Sequence, residues 1–309
     1  MSLKYGVIGS GAIGGYYGGK LAHSGQEVHF LFHSDYDYVK ENGLKVDSVK
    51  GDFHLDSVLA YNDTSKMPKC DVVLVCLKST NNKLLKELLP PVLHKDTLVV
   101  LIQNGLGLEA DLQQVFPNLK IAGGLAFICS SKVGDGHIAH FDEGKLNLGS
   151  YSCDNEALLE QVCSDFQQAG VETRILQLEV ARWMKLVWNI PYNGMTVVLD
   201  TTTDRLMSNP YTEDLLRKLM LEVIHGANRV GEGRFVIPET YADNILEITR
   251  HIVPYSPSMK LDYDHRRPLE INYIYSRPIL EAKKAGYDMV HVSMLEQQLR
   301  FIESQYLNK

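Results

Sequence analysis

The stretch "VIGSGAIGG", residues 7–15, decides how the first half of the chain is read. It follows the apolar run "KYGVIG" (4–9) and leads into a helical segment at 14–24. Gly9, Gly11 and Gly14 therefore satisfy G-x-G-x-x-G in the strand–turn–helix context that gives the pattern its meaning. Gly9 permits the tight turn, Gly11 lets a pyrophosphate approach the backbone, and Gly14 lets the helix pack against the sheet. The residues that open the helix, Ala12 and Ile13 among them, supply free amides and a partial positive charge for the phosphates. A glycine-rich structural turn is the plainer reading, and the position of the pattern between strand and helix favours the dinucleotide.

Further runs support the same fold. "EVHFLF" (27–32), "DVVLVCL" (71–77), "TLVVLI" (97–102) and "KIAGGLAFI" (120–128) have the composition of strands, and the first three are nearly continuous apolar runs, as for strands buried on both faces. Helical patterns such as 80–93 lie between them, an alternation that predicts a parallel sheet with crossover helices. "GHIAHFDEGKLNLG" (136–149) predicts antiparallel strands with a turn near Glu143-Gly144. After "NEALLEQVCSDFQQAG" and one short strand at "VETRILQ", the chain turns mainly helical, with breaks at "VIPET", "VPYSPSMKLDYDHRRP" and "AGYD". The expected fold is an α/β Rossmann-type N-terminal domain with a parallel sheet, residues 1–178, followed by a mainly α-helical domain, residues 179–309.

Composition narrows the function. The 309 residues are 45% hydrophobic and 22% charged with a net charge of −7, which disfavours a broad nucleic-acid surface but not small anions. No apolar run reaches the roughly 20 residues a membrane helix needs. Five cysteines, an odd number with no CxxC spacing, suit free thiols in a reducing compartment, so a cytoplasmic location is expected. His137 and His140 fall on a strand, where a spacing of three puts them on opposite faces, and no metal site is expected.

Coenzyme choice is read at the end of the second strand, where an NAD site carries an acid for the ribose 2′-hydroxyl. Here "FLFHSD" offers His33 and Ser34, with no acid before Asp35. A carboxylate would repel a 2′-phosphate, so its absence points to NADPH. Beyond later strands, "LVCLKST" presents Lys78 and "VVLIQNGLG" presents Asn104. A surface lysine and a turn asparagine are the plainer readings, and a dinucleotide site on the same sheet edge raises the functional ones.

In "RWMKLVWNIPYNG" (182–194), Lys185, Asn189 and Asn193 recur every four residues and share one helical face. One ammonium and two amides lined up in a mostly apolar segment call for a reason. Apolar neighbours would lower the pKa of Lys185, whereas a carboxylate would raise it, and the sequence leaves that balance open. Pro191 predicts a kink, so Asn189 should align with Lys185 better than Asn193 does. A snorkelling lysine with ordinary polar neighbours is the alternative.

Taken in order, G-x-G-x-x-G, the strand-end lysine, "QNGLG", "WMKLVWNIPYN" and "PSMKLDYDHRRPLEIN" resemble the ketopantoate reductase family, over residues 6 to about 286. The resemblance implies NADPH-dependent reduction of the 2-oxo group of ketopantoate, or of another small 2-oxo acid. It makes Lys185 the catalytic lysine, Glu270 the acidic residue of the site, and Asn189, Asn193 and Ser258 the substrate-side residues. Gly9, Gly11, Ala12, Ile13, Gly14, His33, Lys78 and Asn104 fall on the cofactor side. Departures from the family pattern are His33 for arginine, Asn272 for aspartate, Ser276 for glycine and Val290 for proline. A non-catalytic dinucleotide sensor is the reading from a different class. A homodimer through the helical domain is compatible with the sequence, and neither nucleic acid nor membrane is expected as a partner. "KLDYDHRRPLE" (260–270) is expected to be a solvated loop entering a helix, with Arg266 and Arg267 available to a carboxylate.

Overall fold

The computed structural model describes residues 2–251 and 256–307. The chain divides into two compact units: Met1–Gln103 with Leu108–Leu178, and Asn104–Gly107 with Glu179–Lys309.

The first unit is built on a ten-stranded sheet: β1 (Lys4–Ile8), β2 (Glu27–Leu31), β3 (Leu44–Ser48), β4 (Phe53–Leu55), β5 (Leu59–Tyr61), β6 (Val72–Val75), β7 (Leu98–Leu101), β8 (Lys120–Gly134), β9 (His137–Ser150) and β10 (Thr173–Ile175). The strands run in the order β4-β3-β9-β8-β7-β6-β1-β2-β5, with β10 on β9. From β5 to β8 every pairing is parallel. Numbered among themselves, those six strands follow the order 3-2-1-4-5-6 of dinucleotide-binding sheets, which reverses beside β1. β6 and β7 are wholly buried, which is why their sequences are unbroken Val/Leu runs. Each such side chain contributes roughly 1.5–3 kcal/mol on burial.

Beyond β8 the sheet turns mixed, since β9 returns antiparallel and β3 and β4 form an antiparallel pair on its far side. Two expectations are corrected here. The turn lies between Gly134 and His137, not at Glu143-Gly144, and β9 is one strand. Glu143 and Gly144 instead make a bulge, with φ of +63° and +98°, where the register slips between Phe127 and Ile128. A side chain at Gly144 would stand 2.8 Å from the Tyr16 hydroxyl. Segment 80–93, expected as helix, is a 3-10 turn (Ser79–Leu84), one short helical turn (Leu85–Leu88) and a second 3-10 turn (Pro90–Val92). Pro90 and Pro91 remove two amide donors there. The strands at 44–61 escaped the sequence reading because they are three to five residues long and interrupted by turns.

The second unit is helical. At its centre, helix Leu178–Val198 is buried on almost every side and runs on through Pro191. Helices Pro210–Val230, Thr240–Arg250, Ser258–Asp264, Arg277–Lys284 and Val290–Leu307 make up most of the rest. Trp183, Leu186, Val187, Ile190 and Tyr192 anchor the core. Segment 260–270 is not a solvated loop, since its first half completes helix Ser258–Asp264 and buries Lys260 and Asp262. Part of the break expected at "VPYSPSMKLDYDHRRP", residues 253–255, lies outside the described residues. No helix among the described residues is long and apolar enough to cross a membrane.

Candidate active site

In the first unit, the glycine loop joins β1 to helix Ala12–His23 beside the point where strand order reverses. Gly9 has φ of +96°, and a side chain there would meet Leu77 at 2.8 Å. A Cβ on Gly14 would stand 2.2 Å from the Gly9 carbonyl oxygen, so this residue sets the depth to which the helix sinks onto β1. Gly11, the residue capping the helix, is different: a Cβ there meets nothing within 4 Å. Open space at Gly11, a first turn free of acidic residues and no side chain bonded to the cap leave the opening amides, those of Ala12 and Ile13 included, to an anion. The residues present fit a dinucleotide pyrophosphate.

The loop is tied to the end of β2, where Ser10 Oγ donates to the Leu31 carbonyl at 2.9 Å. Past that point His33 and Ser34 are exposed. Asp35, the first acid, is buried and committed: it pairs with Lys132 Nζ at 2.8 Å and accepts the Gly136 amide at 3.1 Å. Lys78 is exposed at the start of the 3-10 turn that follows β6. Gln103, which the sequence reading passed over, donates from Nε2 to the Leu77 carbonyl and to Asn82 Oδ1, both at 2.7 Å. It thereby joins the loops after β6 and β7; its one sequence signal was its place at the end of a strand, next to Asn104. Asn104 is half-buried and belongs with the helical unit, where the Leu106 amide donates to the Tyr273 carbonyl at 2.9 Å.

In the second unit, Lys185 is 9% exposed, Asn189 5%, Asn193 1% and Glu270 5%. A helix buried all round is an expensive place for an ammonium and two amides, and such groups persist where they have work to do. Burial pushes the Lys185 pKa down to about 7; the Arg182 guanidinium pushes the same way, and the Glu270 carboxylate opposes them. Burial thus decides the balance that the sequence left open. Arg182, 3% exposed, was also passed over, although its spacing of three from Lys185 puts both on one helical face.

The two asparagines have different surroundings. Asn189 Nδ2 is a buried donor without a hydrogen-bond partner among the described residues. Such a group costs about 1–3 kcal/mol unless a ligand satisfies it. Asn193 Oδ1 accepts the Met259 amide at 3.0 Å, one residue past Ser258, and so fastens helix Ser258–Asp264 to the central helix. Ser258 is half-buried and is the first residue of its helix. Beside Pro191, the Tyr275 hydroxyl donates to the Ile190 carbonyl at 2.9 Å. Gly194 makes room for that contact, because a Cβ there would lie 2.8 Å from the hydroxyl and 2.6 Å from Leu295.

Glu270 is followed by a π-helical turn, Asn272–Ser276, a distortion often found at functional sites. Arg300 donates to Asn272 Oδ1 at 3.2 Å and Ser276 Oγ at 2.7 Å, so one guanidinium serves two of the positions where the sequence departs from the family pattern. His137 pairs with Asp47 at 2.7 Å, and His140 Nδ1 lies 2.8 Å from Ser48 Oγ. Among the described residues, no group of three or more His, Cys, Asp or Glu is placed to hold a metal.

A 3-2-1-4-5-6 sheet with an open glycine at a helix start, in one chain with a helical unit that buries a lysine of lowered pKa, defines a dinucleotide-dependent oxidoreductase. Comparison with known proteins leads to the same class. The family model "Ketopantoate reductase PanE/ApbA" matches residues 5–152, and "Ketopantoate reductase PanE/ApbA C terminal" matches residues 177–303. A 2-dehydropantoate 2-reductase of Nostoc sp. is 46% identical, over 97% of this chain and 95% of its own. The crystal structure of 2-dehydropantoate 2-reductase from Geobacter metallireducens GS-15 superposes with a TM-score of 0.93 at 38% identity, covering 97% of this chain and 99% of that one. A D-mandelate dehydrogenase with NADH and anilino(oxo)acetate shares the fold, with a TM-score of 0.88 at 20% identity over 98% and 99% of the two chains. The chain belongs to the ketopantoate reductase family.

Proposed function

We propose that the protein reduces the 2-oxo group of ketopantoate to the hydroxyl of pantoate with NADPH, residues 1–178 serving the coenzyme and residues 179–309 the substrate and the proton. The observation that carries this reading is the buried Lys185, held near a pKa of about 7 with Glu270 and Arg182 close by. At neutral pH such a lysine is about half ammonium, which suits an acid that must both bind and release a proton. Bound at the glycine loop, the nicotinamide coenzyme would supply the hydride. Lys185 hydrogen-bonds the ketone oxygen, offsets its growing negative charge and donates the proton. Asn189 Nδ2, lacking a protein acceptor, donates to the substrate, and Ser258 binds its carboxylate. Asn193 acts on the substrate side through Ser258, by holding the Met259 amide. Glu270 supports the ammonium form of Lys185.

Gly9, Gly11, Ala12, Ile13 and Gly14 would hold the pyrophosphate, with Lys78 and Asn104 on the same coenzyme. His33 and Ser34 meet the 2′-phosphate. What supports a preference for NADPH over NADH is that the first acid after β2, Asp35, has its carboxylate spent on Lys132 and the Gly136 amide. The five free cysteines fit a cytoplasmic enzyme. A homodimer belongs to the same proposal, to be checked by light scattering. A dimeric ketopantoate reductase of solved structure, from Staphylococcus aureus, shares the fold at 22% identity.

The test is NADPH oxidation against a panel of 2-oxo acids. Ketopantoate should give the highest kcat/KM, and NADH should be poorer. No turnover of ketopantoate with good turnover of another 2-oxo acid would move the substrate assignment. No turnover of any member, with tight NADPH binding, would favour a sensor.

A further inference from the structure

Lys260 follows Ser258 by two residues and lies in the segment that the sequence reading took for a solvated loop. It is 7% exposed, a rare state for a lysine unless paired. It is paired twice: Nζ is 2.9 Å from Asp200 Oδ1 and also binds Asp264, one turn along its own helix. Its ammonium stands 5.3 Å from the centre of the Tyr263 ring. Asp200 sits two residues past the end of the central helix, with φ of +47°, where a residue other than glycine is uncommon. The short helix Ser258–Asp264 is therefore tied at two places, to the helix that carries Lys185 and to the turn just past its end. One tie is Asn193 Oδ1 to the Met259 amide, and the other is Lys260 to Asp200. The residues holding them, Met259 and Lys260, directly follow Ser258.

We propose that Lys260, through its pair with Asp200, is a positioning residue for the reaction: it fixes the first turn of helix Ser258–Asp264 against the end of the central helix and so sets the place of Ser258 Oγ. Lys260 Nζ is spent on Asp200 and Asp264 and is assigned no contact with substrate or coenzyme. Its effect reaches the 2-oxo acid through Ser258, so this inference rests on the role given to Ser258 above. The pair is covered at its lysine end only, since the Lys260 side chain is 9% exposed and Asp200 70%, so removing Asp200 leaves a largely covered ammonium to Asp264 alone. Position matters because a displacement of about 1 Å at a substrate contact can cost on the order of a hundredfold in rate.

The experiment is steady-state kinetics on Lys260→Met, Lys260→Arg, Asp200→Asn, Ser258→Ala and the Ser258→Ala/Lys260→Met double variant, with NADPH affinity and thermal midpoint measured alongside. Lys260→Met should raise KM for ketopantoate about tenfold or more, lower kcat less, and leave NADPH affinity within about twofold, with Lys260→Arg recovering most of the loss. In the Ser258→Ala background, Lys260→Met should change KM by less than about threefold, because the contact it positions is already gone. A lowered thermal midpoint with KM within twofold of wild type would overturn the proposal, as would effects of the two single variants that multiply in full. Should Lys260→Met not fold, Asp200→Asn is the deciding variant: it keeps the Lys260–Asp264 pair, and an unchanged KM there refutes the positioning role. Loss of ketopantoate turnover in the wild-type protein is a separate result, since it refutes the functional reading itself.

Discussion

If Lys185 is the proton donor, the alkaline limb of kcat/KM should report its pKa, and its two charged neighbours should move that limb in opposite directions. With a pKa of about 7, the ammonium fraction falls from about nine in ten at pH 6 to about one in ten at pH 8. Above pH 8, kcat/KM should then drop about tenfold per pH unit. Glu270 raises the Lys185 pKa and Arg182 lowers it. Glu270→Gln should therefore shift the limb to lower pH, and Arg182→Leu should shift it to higher pH. Stability gives an independent reading of the same group. Its folded pKa lies below the ordinary 10.5, so between pH 7 and 10.5 the unfolded chain binds the extra proton and stability rises with pH. The cost of burying the ammonium, on the order of a few kcal/mol, is complete below pH 7 and relieved above 10.5. Lys185→Met should remove that slope and raise the thermal midpoint at pH 6.5. A limb near pH 10, or one that both neighbour substitutions shift in the same direction, would refute this electrostatic account.

Lys185→Ala should lower kcat by about 10²–10⁴-fold while NADPH affinity, followed by fluorescence titration, stays within about threefold. Gly11→Ala places its Cβ in open space, so the protein should fold normally and lose NADPH affinity by isothermal titration. Gly14→Ala would drive its Cβ to 2.2 Å from the Gly9 carbonyl oxygen, and should lower stability by about 1–3 kcal/mol in urea melts even without coenzyme. Gly194→Ala should cost about 1–3 kcal/mol, because its methyl group collides with Leu295 and the Tyr275 hydroxyl.

Much of the fold could be read from the sequence because buried parallel strands leave a strong imprint. β6 and β7 are unbroken apolar runs, and the glycine loop identifies the strand before it and the helix after it. The short strands β3, β4 and β5 leave almost none: β3 and β5 are chosen by partners distant in the sequence, β9 and β2, and β4 has only three residues. Glu143-Gly144 has the composition of a turn and serves as a bulge, because a left-handed pair answers both needs and only the β8 partner decides between them. Lys185 and the asparagines stood out as polar residues in an apolar helix. Arg182 did not, because burial of an arginine is a tertiary fact. Lys260 looked solvated for the same reason, since Asp200 lies sixty positions earlier in the chain.

The peptide Asn104–Gly107 leaves β7, is counted with the helices, and returns to the sheet at Leu108. The polypeptide therefore passes between the two units three times, after Gln103, Gly107 and Leu178. Truncation at any one bond cannot release both units whole. A fragment ending at Leu178 would keep this peptide but lose the Tyr273 carbonyl that accepts from Leu106, and a fragment starting at Glu179 would lack the four residues outright. Separating the units genetically calls for grafting a short linker across 104–107, and ordinary domain dissection would misreport the stability of both halves.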